Sequence, residues 1–411
     1  MKKGIIAALI GASLLCTAVT GCSSSGGDGA DTPGGNSQGE AALKIWVDPG
    51  AGDYYRELLA SYNEDTGSDV EIEVVESDTA KAQEYLKKDP ETAADVFSVP
   101  HDQLGQMVEA GVVYENTKYV DEITANNTEQ SVQAATYEGK VYGYPYGIEG
   151  LMVYYDKTKL TEEDVKTFEG LTSKGKIGIN LTESGNDYFA VPFFIANGCE
   201  LYGPDGEDPE GTTFNTDKGV HVLEWIRNLK DNPNVVQAND DMLSKLESGE
   251  IVAMVSGPWG EANVKEILGD NMGVAVYPTV DFGDGTVQMK AFLGVKLFAV
   301  NAATKHPLEA MALANYLGTK ECQEKDFEEM GTIPCNIEAQ KSEAVQSDPM
   351  ASTVVKLSSD EYSVITPKIP EMVTFWPAAA AVISDAYNGN IPEDQMMDKL
   401  DQLVKDTSGT E

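Results

Sequence analysis

The sequence predicts an α/β protein built as two lobes. Three observations carry this. Apolar strands alternate with amphipathic helices over residues 43–99, the alternation resumes between residues 176 and 300, and a chain of 411 residues can bury more than one core.

"LKIWV" (Leu43–Val47) is a short apolar run that predicts a buried strand. In "DYYRELLASYNEDTG", Tyr55, Leu58, Leu59 and Tyr62 fall at helical spacing and Gly67 supplies a stop, so one helix is expected. "VEIEVV" (Val70–Val75) alternates as a strand does, "AKAQEYLKK" reads as helix and "DVFSV" (Asp95–Val99) as strand, completing β-α-β-α-β. A helix over "DQLGQMVEAG" ends at Gly111. Further on, "KIGIN", "EIVAMVSG", "GVAVYP" and "LGVKLFAV" read as strands. "DYFAVPFFIANG", "KGVHVLEWIRNLK" (with Asn215 or Thr216 as cap), "KHPLEAMALANYLGT" and "PEDQMMDKLDQLVKD" read as helices. Pro258 and Pro377 each fit the first turn of a helix, where no backbone N–H is needed. In open α/β sheets, ligands bind at the carboxyl ends of strands, and between lobes where there are two.

Composition narrows the partner. The apolar fraction of 41% fits a folded globule, and 29 Lys and Arg against 68 Asp and Glu give a net charge of −39. Such a field repels nucleic acid and anionic headgroups and suits a neutral or cationic ligand. No phosphate-binding glycine loop is present, and "PDGEDPEG" (Pro204–Gly211) lacks the spacing of a calcium loop. His101, His221 and His306 are far apart and no Cys-x-x-Cys occurs, so neither a metal site nor a cofactor is expected. Cys199, Cys322 and Cys335 remain beyond the N-terminal region, with a Cys322–Cys335 bridge left open.

The N-terminus reads as a targeting segment. Lys2 and Lys3 precede the apolar "GIIAALIGASLLCTAV", too short for a membrane span. It ends in Val19-Thr20-Gly21-Cys22, which resembles the bacterial lipobox. That resemblance implies a signal peptide over 1–21 and acylation of Cys22. The Gly- and Ser-rich stretch to Glu40 then reads as a flexible tether, spanning about 20–25 Å as a coil. The expected setting is the extracellular face of a membrane.

Chemistry concentrates in a few stretches. "KVYGYPYGIEGLMVYYDK" (Lys140–Lys157) has five tyrosines, Tyr142 to Tyr155, with one carboxylate, Glu149, among them, and buried phenols each need a partner. "PHDQLGQ" follows a strand and offers His101 and Asp102 as an acid/base pair, or Asp102 as a helix cap. "NLTESGNDYF" holds Glu183 and Tyr188, "SGPWGEANV" holds Trp259, and "IPEMVTFWPAAAAV" holds Trp376. Each indole is either a cleft platform or core. Flat aromatic faces bury the C–H face of a sugar while carboxylates accept from its hydroxyl rim.

Taken in order, these stretches resemble the maltose/maltodextrin-binding proteins, extracellular receptors of bacterial ABC sugar importers. The pieces are "LKIWV" with "EDTGSDVEIEV", "ADVFSVPHDQLGQMVEAG", "YEGKVYGYPYGIEGLMVYYDKTKL", "SGEIVAMVSGPW" and "IPEMVTFW". The resemblance implies a two-lobe periplasmic-binding-protein-like fold with a hinge and an interlobe ligand cleft. It implies an N-terminal lobe of 41–147 and 280–340 and a C-terminal lobe of 148–279 and 341–411. It also implies a non-catalytic monomer that binds maltose or maltooligosaccharides and works with membrane permease subunits. The residues expected to bind ligand are Asp48, Asp102, Gln103, Glu149, Tyr155, Glu183, Tyr188, Trp259 and Trp376. The chain departs from the family at "PGAG" after Asp48, at Gln103 where an arginine is expected, at Val99 in place of an indole, and at Pro377 and Ala380. Another oligosaccharide, an extracellular glycoside hydrolase and a polyamine receptor are the competing readings.

Overall fold

The computed structural model describes residues 41–409; the expected leader, Cys22 and the tether lie outside the described residues. Eleven strands form two sheets: β1 (Ala41–Val47), β2 (Val70–Glu76), β3 (Val96–Pro100), β4 (Gly143–Gly150), β5 (Met152–Asp156), β6 (Ile177–Ile179), β7 (Val235–Gln237), β8 (Ala253–Ser256), β9 (Met272–Ala275), β10 (Ala291–Val300) and β11 (Ser363–Ile365). The first sheet has the order β11-β10-β3-β1-β2, with β4 on the other edge of β10, and the second β9-β5-β8-β6-β7. β1 pairs parallel with β2 and with β3, as the alternation over 43–99 requires. β10 runs antiparallel to both β3 and β4. Helices cover both faces, so β3 and nearly all of β4 are buried along their length.

The chain passes between the sheets at three places: Leu151, between β4 and β5; residues 276–290, between β9 and β10; and residues 366–371, between β11 and the helix Met372–Asn388. The stretch of five tyrosines is the first of these crossings. β11 belongs to the first sheet, within the span 341–411 expected in the C-terminal lobe. The hairpin 279–288 bridges to Thr167 and pairs Asp284 with His221 at 2.7 Å, on the side of the second sheet.

An ion pair between a buried lysine and a partly exposed glutamate ties the third crossing down. Lys368, 1% exposed, sits 3.2 Å from Glu207 Oε1 and donates to the Gln133 carbonyl at 3.0 Å. Glu207 also accepts from the Glu138 backbone N–H at 3.1 Å.

Two expectations are corrected, and the open question of a Cys322–Cys335 bridge is answered. The helix expected over 53–67 is two, Gly52–Leu59 and Tyr62–Thr66, because the chain turns at Ala60–Ser61 to drive Tyr62 into the core against Tyr316. Pro377 is in the second turn of its helix, which begins five residues earlier at Met372; the carbonyl it leaves without a helical donor belongs to the exposed Val373. Cys322 and Cys335 are free thiols, both buried, as is Cys199.

Candidate saccharide-binding site

β10 and β4 present a shared face. Gly294 lies opposite Glu149 and Lys296 opposite Gly147, so Phe292, Gly294 and Lys296 alternate onto the same side as Glu149. Pro145 has no N–H to give the ladder, and the register slips there: Leu297 pairs with Pro145, leaving Tyr146 as the extra residue of a bulge. Glycine lets side chains come close at both points. A Cβ on Gly294 would come within 3.0 Å of Glu149 Cγ, and one on Gly147 within 2.5 Å of Thr332 Cγ2. The carboxylate of Glu149 is 3.7 Å from Lys296 Nζ and remains about one-third exposed.

Asp102 joins this face from the 3-10 turn His101–Gln103 that follows β3. Burial raises its carboxyl above the ordinary range, and the Glu149 charge adds to the rise. It does not cap the helix Leu104–Glu109. His101 is no acid/base partner for it. The imidazole is 2% exposed, accepts from the Val295 N–H at 3.0 Å, and faces the Thr366 carbonyl at 3.2 Å. Burial pushes its pKa down to about 3, so it pins the turn as a neutral ring.

Aromatic rings arrive from the second sheet's helices. Tyr188, on Asn186–Ala196, stacks on Phe292 at 5.6 Å with a 30° interplanar angle. Trp376, on Met372–Asn388, lies 6.5 Å from Tyr188 and meets Phe292 edge-on at 5.6 Å. Burial raises the Tyr188 phenol, and the charges of Glu149 and Asp102 raise it further. Two carboxylates from one sheet thus meet two half-buried aromatic rings from the other.

The remaining candidates divide. Asp48 follows β1, accepts from the Thr79 hydroxyl, and shares Tyr146 with Glu149: both charges raise that buried phenol, which hydrogen-bonds Ser98 at 2.7 Å. Gln103 donates to the Ala80 carbonyl at 2.7 Å and leaves its own carbonyl oxygen buried without a partner. Glu183 is exposed in a loop braced by Asn180 and accepts from Gln237 at 3.4 Å. Trp259 is 58% exposed, its ring folded over Gly257. Tyr155 stands apart. β5 is covered on both faces, so adjacent Tyr154 and Tyr155 are both buried, and the Tyr155 ring lies on Gly273 of β9 beside Glu162.

Two residues of the group escaped the sequence reading. Phe292 gave no signal within an apolar strand. Lys296 did give one: a lone cation inside "LGVKLFAV". A third feature, Asp326, is 1% exposed, accepts from the Tyr54 hydroxyl at 2.6 Å and keeps its second oxygen unpaired. Burial pushes its carboxyl up to about 7, and Lys296 acts against the rise.

A two-sheet frame with a carboxylate-and-aromatic group where the sheets meet defines a binding protein. The chain belongs to the bacterial extracellular solute-binding proteins, whose family model matches residues 57–353. Among curated relatives it is similar to the maltodextrin-binding protein of Bacillus subtilis strain 168, with 27% identity covering 95% of this chain and 93% of the other. It is about as similar to a galactooligosaccharide-binding protein of the same organism, with 26% identity covering 95% of each. Among solved structures, a ligand-free maltodextrin-binding protein from L. casei BL23 superposes with a TM-score of 0.87 at 39% identity, covering 90% of this chain and all of the other. The fold is accordingly the two-lobe form of that class.

Proposed function

We propose that this protein is an extracellular receptor that captures maltose and maltooligosaccharides and hands them to the permease subunits of an ABC importer. The observation that carries the proposal is the meeting of Asp102 and Glu149 from one sheet with Tyr188 and Trp376 from the other. The rings suit the apolar face of a glucose unit and the carboxylates its hydroxyls, in charge-assisted bonds. Asp48, Glu183 and Trp259 extend the same cleft, and Gln103 lines its wall. The relatives named for maltodextrin support the choice of sugar. Ligand would draw the lobes together by bending at the three crossings, Leu151, 276–290 and 366–371. Cys22, acylated, would hold the receptor at the membrane, where the 23–40 tether gives it reach. The protein acts as a monomer and performs no reaction: His101 is a neutral structural ring, and nothing about Asp102 and Glu149 requires more than hydroxyl recognition.

The near-equal similarity to a galactooligosaccharide-binding relative favours one second reading, a galactose-containing oligosaccharide. The test is calorimetry of the mature protein against maltotriose, a galactotriose and spermidine, followed by chromatography of the recovered sugar. One-to-one binding of maltotriose, recovered intact, is expected. Preference for the galactotriose would favour the second reading, shortened sugar a hydrolase, and spermidine binding alone a polyamine receptor.

A further inference from the structure

Four carboxylates surround the face built by β4 and β10: Asp48, Asp102, Glu149 and the buried Asp326. The Tyr146 phenol is raised by the charges of Asp48, Asp326 and Glu149 together, and Glu149 raises Asp102, so these groups share one field. Such a field, in a chain of net charge −39, would draw an organic cation as readily as a neutral sugar. Among the described residues, the single cation paired with this group is Lys296.

Its placement is built rather than incidental. The Pro145–Tyr146 bulge resets the register so that Lys296 faces Gly147, along which the lysine stem lies in ordinary contact distance, its Cδ 3.6 Å from where a Cβ would stand. On its other side Lys296 pairs with Pro100, next to the turn that carries Asp102. The ammonium is 3.7 Å from Glu149 Oε2, and its charge favours ionised Asp326, whose second oxygen has no partner. The side chain is 36% exposed, open to the cleft and not locked in the core.

We infer that Lys296 determines the charge class of the ligand: it orients Glu149, leaves that carboxylate's other oxygen for a hydroxyl, and turns the cleft from a cation trap into a site for uncharged polyhydroxylated molecules. This rests on the cleft being the saccharide site. Lys296 is a positioning residue, acting through Glu149. An ammonium is a compact point charge, so an arginine there keeps the charge and changes the reach.

The test titrates wild type, Lys296→Met and Lys296→Arg with maltotriose and, separately, with spermidine, at low and at physiological salt. Lys296→Met is expected to bind maltotriose at least tenfold more weakly and to gain spermidine binding that salt abolishes. Lys296→Arg should retain most of the maltotriose affinity and refuse spermidine. A lysine that served only as structural support would, when replaced, weaken maltotriose binding without any gain of spermidine binding, which overturns the inference. So does a Lys296→Met protein that matches wild type for both. If wild type itself binds no saccharide, the cleft reading falls, and the wild-type titration alone reveals that. Ligand-free melting of each variant reports folding; should Lys296→Met not fold, Lys296→Gln takes its place in the same titrations.

Discussion

Replacing Trp376 with alanine separates a binding platform from a core residue. The indole is half-buried, edge-on to Phe292 at 5.6 Å and to Phe375 at 6.0 Å, with Tyr188 6.5 Å away. A fully enclosed tryptophan buries on the order of 200 Å². Half of that, about 100 Å², is worth about 2.5 kcal/mol at ~25 cal/mol per Å². At roughly 2–4 °C per kcal/mol for larger domains, the ligand-free melting temperature should fall about 5–10 °C. Loss of the platform should cost more than 1.4 kcal/mol in binding, a factor above ten. Differential scanning calorimetry without ligand and titration with maltotriose on the same preparation supply both numbers. Unchanged affinity in the folded fraction, with a melting drop larger than this range, would make Trp376 a core residue and refute the reasoning.

Glu149→Gln keeps the shape and removes the charge, so maltotriose affinity should fall about tenfold to a hundredfold with melting nearly unchanged; equal affinity by calorimetry would make Glu149 a bystander to Lys296. Asp326 binds an extra proton in the folded state between about pH 4, its unfolded value, and about 7. Stability therefore falls as pH rises across that window. Asp326→Asn should flatten the decline and melt above wild type at pH 8, and two parallel melting-versus-pH curves would contradict the burial argument. Lys368→Met leaves the partly exposed Glu207 without its cation beside the 366–371 crossing but also removes an ammonium that burial disfavours, so chemical denaturation should show a loss of about 1–3 kcal/mol; a loss of about 3–5 kcal/mol would show that Glu207 is stranded as a fully buried charge. Cys22→Ala should move the protein from the detergent phase to the aqueous phase in a partition assay, and unchanged partition would remove the lipid anchor.

Strand and helix order was legible because β3, inside the first sheet, is buried on both faces and appears as the apolar run "DVFSV", while β1 and β2 alternate more and less buried residues in "LKIWV" and "VEIEVV". What escaped were events decided by tertiary contact. Nothing local says that the helix after β1 breaks at Ala60 so that Tyr62 can meet Tyr316, or that Pro377 is tolerated one turn inside its helix because Val373 faces solvent. In the candidate site, Asp102, Glu149, Tyr188 and Trp376 were named from motifs lying as far as 274 positions apart, and the structure gathers them. Tyr155 was named with them because it shares the tyrosine-rich stretch, yet the crossing at Leu151 carries it onto the other sheet, beneath Gly273 of β9. Lys296 stood out as a lone cation in an apolar run, but its partners were hidden for the converse reason. Its neighbours are chain-distant Glu149 and Asp326, and only the bulge at Pro145 brings the first of them alongside.

The most direct test of the saccharide-receptor account is a crystal structure of the mature protein grown with maltotriose. The account predicts one sugar between the lobes, a glucose ring against Tyr188 and Trp376, and hydroxyls within hydrogen-bond distance of Asp102 and Glu149. A maltotriose bound elsewhere, or a cleft that holds it without touching either carboxylate, would contradict it.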